Sequence, residues 1–302
     1  MPRVIALDDA SAISLEECID SIAARGFDPG DEESLLGAAR DLKRLCNDRE
    51  FLGDRLVADL ARRCPVDETT SDYGPQVVVL CPARGTFFMR ANIWPSPVEA
   101  MFRDSGGDAF AIGLPHDHNF SFLTAGYFGP GYWSDYYEYD YETVSGYRGE
   151  KVDLRFIERS RLEEGKVQLY RAHRDVHVQH PAEALSVSLN VMHMRADQGW
   201  YDQYRFDIER GEIAGIIGQG PAETLLRVAV ACGTPGALDL AAGFGRSHPS
   251  DRMRLAAWES LALTEPDAGA RDEVWRQAER SGNRMVAGEA RRRRAMLGGK
   301  IW

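Results

Sequence analysis

Between residues 76 and 208 the chain is a close succession of short apolar or alternating segments, broken by Gly, Pro and polar turns. This constrains the fold more than any other feature. Gln76-Val77-Val78-Val79-Leu80 is β-branched and reads as a buried strand. Residues 86–94 form a second, closed by Pro95, and residues 120–127 a third, with Gly129-Pro130-Gly131 as the turn after it. Residues 136–141 alternate aromatic and acidic side chains. Residues 152–158 and 166–171 follow, 185–193 alternate between apolar and polar, and 204–208 close the set. About eight short strands at this spacing predict a sandwich or barrel.

Both flanks have helical periodicity. Ser14 and Glu17 form a capping-box pattern, and Gly26 stands where that helix should stop. Leu35, Leu36, Ala39, Leu42 and Leu45 mark a second helix. Phe51, Leu52, Leu56, Val57 and Leu60 mark a third, which Pro65 ends. Beyond Pro221, residues 222–231, 236–244, 250–263, 268–280 and 284–297 read as short helices, and His248 as a capping or surface residue. A chain of 302 residues is too long for one small core. The expected organisation is α+β, with an N-terminal helical region (1–74), a central antiparallel β-barrel (75–212) and a C-terminal helical region (213–302). The paired C-terminal helices resemble HEAT-type repeats, which stack into a continuous core and commonly bind other proteins; a plain helical cap on the barrel is the equal alternative. The run Arg291 to Arg294 reads as a solvated basic face near a helix C-terminus.

Within the strand region, Pro115-His116-Asp117-His118 places two imidazoles two residues apart. On an extended backbone, residues i and i+2 share a face, so both rings would aim at one point, while Asp117 faces the other way. Imidazole is the commonest side-chain ligand of first-row transition metals. His173, His177 and His180 cluster about sixty residues downstream, where a paired strand would supply a third ligand. His177 is the choice. His173 shares its parity and is the alternative, and His180, before Pro181, points away.

This middle region resembles the cupin superfamily. The residues that carry the resemblance are Pro115-His116-Asp117-His118, Tyr170-Arg171-Ala172-His173-Arg174-Asp175-Val176-His177 and Leu185-Ser186-Val187-Ser188-Leu189-Asn190. The resemblance implies a jelly-roll barrel whose ligands project inward onto a divalent metal. A glutamate common to the first motif is replaced by Phe122 and Leu123, which is similar to the thiol dioxygenase branch, where three histidines hold ferrous iron. The implied cofactor is Fe(II), with Zn, Ni or Mn also accepted by imidazoles. The implied activity is oxygenation, with dioxygen, of an amino acid, a thiol, a related polar small molecule or a peptide side chain. A homodimer is the family expectation. Arg90 is a candidate for pairing a substrate carboxylate, Asn92 and Asn190 for orienting it, and Tyr127 and Tyr132 for donating a hydroxyl near the metal.

Other classes are disfavoured. A net charge of −11 argues against nucleic acid. No run of eighteen apolar residues predicts a membrane span, and five dispersed cysteines without CxxC suit a reducing cytoplasm. There is no GxSxG, P-loop or HExxH, and the glycine-rich residues 215–220 read as a linker. A sensor or interaction module, metal-bound or metal-free and recruiting a protein through its C-terminal helices, is the alternative to an enzyme.

Overall fold

A computed structural model describes residues 2–63, 76–218 and 220–299. Cys64 and Pro65 lie outside the described residues. The chain divides into two units, Met1–Tyr139 with Leu154–Gly199, and Asp140–Asp153 with Trp200–Trp302. This differs from the expected boundaries at 74 and 212, because the N-terminal helices share one core with the strands that follow.

In the first unit, helices α1 (Leu15–Arg25), α2 (Glu32–Asn47) and α3 (Phe51–Arg63) come first, and a short α4 (Ala100–Ser105) follows the first strands. Ser14 and Glu17 close the capping box of α1, and Gly26 ends it at φ +74°. Asp31 caps α2 through Ser34 N. The main sheet is antiparallel, in the order β1 (Arg3–Ile5), β7 (Val167–Tyr170), β4 (Phe122–Phe128), β9 (Ser186–His193), β3 (Phe87–Trp94) and β2 (Val77–Arg84). A second sheet holds β6 (Arg155–Leu162), β5 (Tyr132–Glu138) and β8 (Asp175–Gln179), with β5 central.

Alternation gives the main sheet two unlike faces. Met89, Ala91, Leu123, Ala125, Val167, Leu169, Leu189 and Val191 face one way and form a single core with Cys18, Ile22, Leu35, Leu42 and Leu45 of α1 and α2. The even-numbered residues of the same strands face the other way, and many are polar. The paired residues run in rows across the strands: Phe88, Met192, Phe122, Tyr170; then Arg90, Asn190, Thr124, Gln168; then Asn92, Ser188, Gly126. The expected closed barrel is not formed among the described residues. The strands pair as separate sheets, and the last expected strand belongs to a different unit.

That strand, β10 (Gln203–Asp207), pairs in the second unit with β11 (Glu212–Ile217). Residues 212–217 are therefore a strand and not a linker; Ile213, Ile216 and Ile217 give them the side chains to pair. Helices α5 (Pro221–Ala231), α6 (Ala237–Ser247), α7 (Asp251–Thr264), α8 (Ala268–Glu279) and α9 (Arg284–Leu297) follow. Leu226, Val230, Ala241 and Ala257 form one core of this unit, and Trp258, Trp275, Val286 and Ala290 another. His248 accepts from Ser250 N through Nδ1 at 3.0 Å, a capping role. Most of the basic run on α9 is ion-paired rather than a free cationic face: Arg292 with Glu289, Arg293 with Glu259, and Arg294 with Asp272 and Glu279.

Candidate metal centre

His177 sits in the middle of β8, directly opposite Tyr136 of β5. Its other side is met by the segment that carries His116. His116 N donates to His177 O at 3.1 Å and His177 N donates to His116 O at 2.9 Å. His116 is thus bridged to β8 as an isolated pair, and His118 lies two residues beyond it, outside any regular strand. The chain reaches β4 only at Phe122. His173, in the turn between β7 and β8, donates its backbone N–H to His118 O at 2.9 Å. With Gly113 N donating to Gln179 O at 2.9 Å, four backbone bonds tie the two histidine-bearing segments together.

The three rings converge. Ring centroids are 4.4 Å apart for His116 and His177, 4.9 Å for His116 and His118, and 5.1 Å for His118 and His177. His177 Nε2 lies 3.1 Å from both His116 Nε2 and His118 Nε2. One ligand nitrogen from each falls within 4.8 Å of the others. All three residues are buried. Burial holds His116 below the ordinary imidazole range and holds His118 and His177 well below it; their mutual charge, and for His118 that of Arg90, pushes the same way. Neutral rings result.

The tautomer of His116 is fixed by its neighbour. Its Nδ1 is 2.8 Å from the carbonyl of Leu114, which can only accept, so Nδ1 carries the proton and Nε2 presents a lone pair to His177. Three buried Nε2 atoms packed this closely, at least one a bare lone pair, suit a shared cation better than a hydrogen-bonded set. The donor set and its burial fit a divalent metal.

Around the centre, Tyr170 lies edge-on to the His177 ring and stacks on Phe122 at 4.5 Å. The hydroxyls of Tyr136 and Tyr170 are 3.0 Å apart, and Gln168 Nε2 donates to both, at 3.0 and 3.1 Å. Burial raises all of the inward tyrosines, Tyr132 and Tyr170 well above the ordinary phenol range, so their protons stay on. Gln179 Nε2 is 3.5 Å from His177 Nε2. Of these, the sequence offers Tyr136, as one of the tyrosines of residues 136–141 able to line a cavity, while Gln168 and Gln179 escape a reading centred on histidines. Parity with His177 would pick out Gln179, but Gln168 and Thr124 are placed by strand pairing.

The other candidates separate clearly. Arg90, Asn92 and Asn190 stand in the inward rows, and the charge of Arg90 acts on both His118 and Tyr132. Tyr132 is inward too, packed on Trp94 at 4.1 Å. Tyr127 is on the opposite face: it lies in the helix-side core, edge-on to Phe51, because its odd position on β4 points away from the histidines. His173 lies outside the three-histidine cluster, with a left-handed backbone at φ +59°, and burial pushes its ring down to about 4. His180 pairs with Asp135 at 2.9 Å, on the outer side of the small sheet with Arg159. Asp117 is fully buried and accepts from Tyr139 OH at 2.5 Å.

No family profile matches this chain, and comparison with curated proteins finds no relative. Among solved structures, DMSP lyase DddQ from Ruegeria pomeroyi DSS-3 is similar over 44% of this chain and 53% of its own, at 9% identity and a TM-score of 0.25. Vicilin from Corylus avellana (hazelnut) is similar over 51% of this chain and 42% of its own, at 12% identity and a TM-score of 0.23. The chain therefore spans about half the length of each. At these scores neither likeness bears on the fold or the chemistry.

Proposed function

We propose that His116, His118 and His177 hold one divalent metal, Fe(II) foremost, and that the protein is a cupin-type mononuclear non-haem iron oxygenase. Its substrate is an amino acid, a thiol, a related polar small molecule or a peptide side chain. The observation that supports this most directly is the meeting of three buried, neutral imidazoles at one point. Bound there, ferrous iron supplies open coordination positions and redox chemistry with dioxygen.

The chain's own residues do the rest. Three neutral ligands leave the cation's charge uncompensated, which favours a substrate with a negative donor group. Arg90 meets a carboxylate from the second inward row, and Asn92 and Asn190 orient the substrate's polar atoms. Tyr136 and Tyr170, locked by Gln168, hold two protonated hydroxyls beside His177. Phe120, Phe122 and Tyr170 wall the imidazoles with apolar rings and limit water. The C-terminal helices, read as HEAT-like, are the surface for a protein partner, and the setting is the cytoplasm.

Metal analysis by plasma mass spectrometry on anaerobically purified protein tests this. About one iron per chain is expected, lost in His116→Ala and His177→Ala and kept in His173→Ala and His180→Ala, with oxygen uptake on a substrate panel following the iron. Full iron retention in His116→Ala overturns the assignment. Zinc or nickel in place of iron overturns the oxygenase reading while keeping the centre.

A further inference from the structure

Between two apolar clusters the inward face carries a belt of buried polar atoms that the metal centre does not use. One cluster, Phe122, Tyr136, Tyr170 and Met192, adjoins the histidines. The other, Trp94, Tyr132, Leu162 and Ala182, closes the far end. In the belt between them stand Asn92, Thr124, Gln179 and Asn190, with relative exposures of 7%, 1%, 5% and 3%. Thr124 and Asn190 are directly paired across β4 and β9, and Gln179 faces the same interior from β8, one step beyond His177. Asn92 Oδ1, Thr124 Oγ1, Gln179 Oε1 and Asn190 Nδ2 are all buried without a hydrogen-bond partner. A protein leaves few such atoms unpaired, because each forfeits its hydration.

The chemistry of these atoms narrows the ligand. Carbonyl oxygens only accept, amide nitrogens only donate, and the threonine hydroxyl does both. Turning an amide over exchanges its donor and its acceptor, so a ligand here must be able to serve either. A hydroxyl both donates and accepts, so a row of hydroxyls satisfies every member of such a set. The geometry points to a polyhydroxylated small molecule, a sugar, polyol or sugar acid, seated with its hydroxyls on Asn92, Thr124, Gln179 and Asn190 and its reacting end toward the histidines. The belt meets the centre at Gln179, whose Nε2 is 3.5 Å from His177 Nε2, so a ligand seated on the belt reaches the histidines directly. The inference rests on the metal-centre reading only for where the reacting end lies, and it singles out one kind among the polar small molecules named above.

Calorimetry and saturation-transfer NMR on the full chain with its metal test it. The probes are D-glucitol, D-glucose and D-gluconate, with hexanoate and cysteine as controls. At least one hydroxylated probe is expected to bind tenfold or more tighter than either control. Preference for gluconate over glucitol identifies a sugar acid, and the reverse a neutral polyol; both support the belt. Thr124→Val, which keeps volume and removes only the hydroxyl, should weaken that binding about threefold to tenfold with metal content unchanged. Asn190→Leu should act likewise, and Thr124→Val decides if the leucine variant unfolds. Equal or tighter binding of hexanoate or cysteine overturns the proposal, as does metal-replete protein that binds none of the hydroxylated probes, in which case the belt holds only ordered water. Absence of metal from the wild type overturns the metal-centre reading instead, and hydroxyl binding is scored separately.

Discussion

Each of the three imidazoles is kept uncharged by burial, so each is ready to ligate without first losing a proton. Three ordinary histidines with pKa near 6.5 would together release about two protons on binding a metal at pH 6. Here calorimetric titration with Zn(II) at pH 6, in two buffers of different ionisation enthalpy, should report fewer than one; release of two or more would show the rings to be protonated. A second group works in the opposite sense. Asp202 is paired with Arg252 at 2.8 Å, yet burial pushes its carboxyl up to about 6. A carboxyl raised on folding holds its proton more tightly in the native state. Its favourable contribution is complete below about pH 3.8 and is lost as pH rises through about 6. Asp202→Asn should therefore gain in melting temperature relative to wild type between pH 4.5 and pH 8, by the equivalent of about 3 kcal/mol at most. An unchanged difference across that range would count against a buried, ionising Asp202. At this scale the histidine convergence was legible, because spacing and parity are local properties. Asn92 and Asn190 were named as well, but Thr124 was not, since it joins their face only once β3, β4 and β9 are paired in register.

Strands of the main sheet separate two kinds of consequence by parity. On β9, Leu189 is fully buried against the helices, while Asn190 points to the polar interior. Leu189→Ala should cost about 2–5 kcal/mol in urea unfolding. Thr124→Val, on the inward side of β4, should leave the urea midpoint nearly unchanged, because it removes a hydroxyl that has no partner in the fold. A large loss of stability in Thr124→Val would mean that the hydroxyl belongs to the fold and not to a ligand. The helices were readable from period and caps: Ser14, Asp31, Ser250 and Asn283 all accept from the backbone where a sequence start signal would place them. Residues 212–217 were not readable as a strand, because the glycine at 215 resembles a linker until Arg205 pairs with it. Tyr127 shows the same limit on β4: its place on the helix side follows from register, and its aromatic character gives no hint of it.

Over the whole molecule the net charge is −11, and yet the candidate centre is built of imidazoles alone. Metal at about one hundred times its dissociation constant should stabilise the native state by about 2.7 kcal/mol. In hydrogen exchange that gain is expected in β5, β8 and residues 112–118, with the amides of α5 to α9 unchanged. Uniform protection of both units would contradict a centre built within the first unit alone. The two segments that carry the candidate ligands are joined by backbone bonds, His116 with His177 and His173 with His118, across a separation of 61 residues between His116 and His177. On the ribosome, His116 and His118 therefore emerge long before the strand that completes their set. A nascent chain has no three-nitrogen site until β8 has been synthesised and has found its place, so a metal held there would be taken up only after that pairing, and not by the first two imidazoles as they emerge.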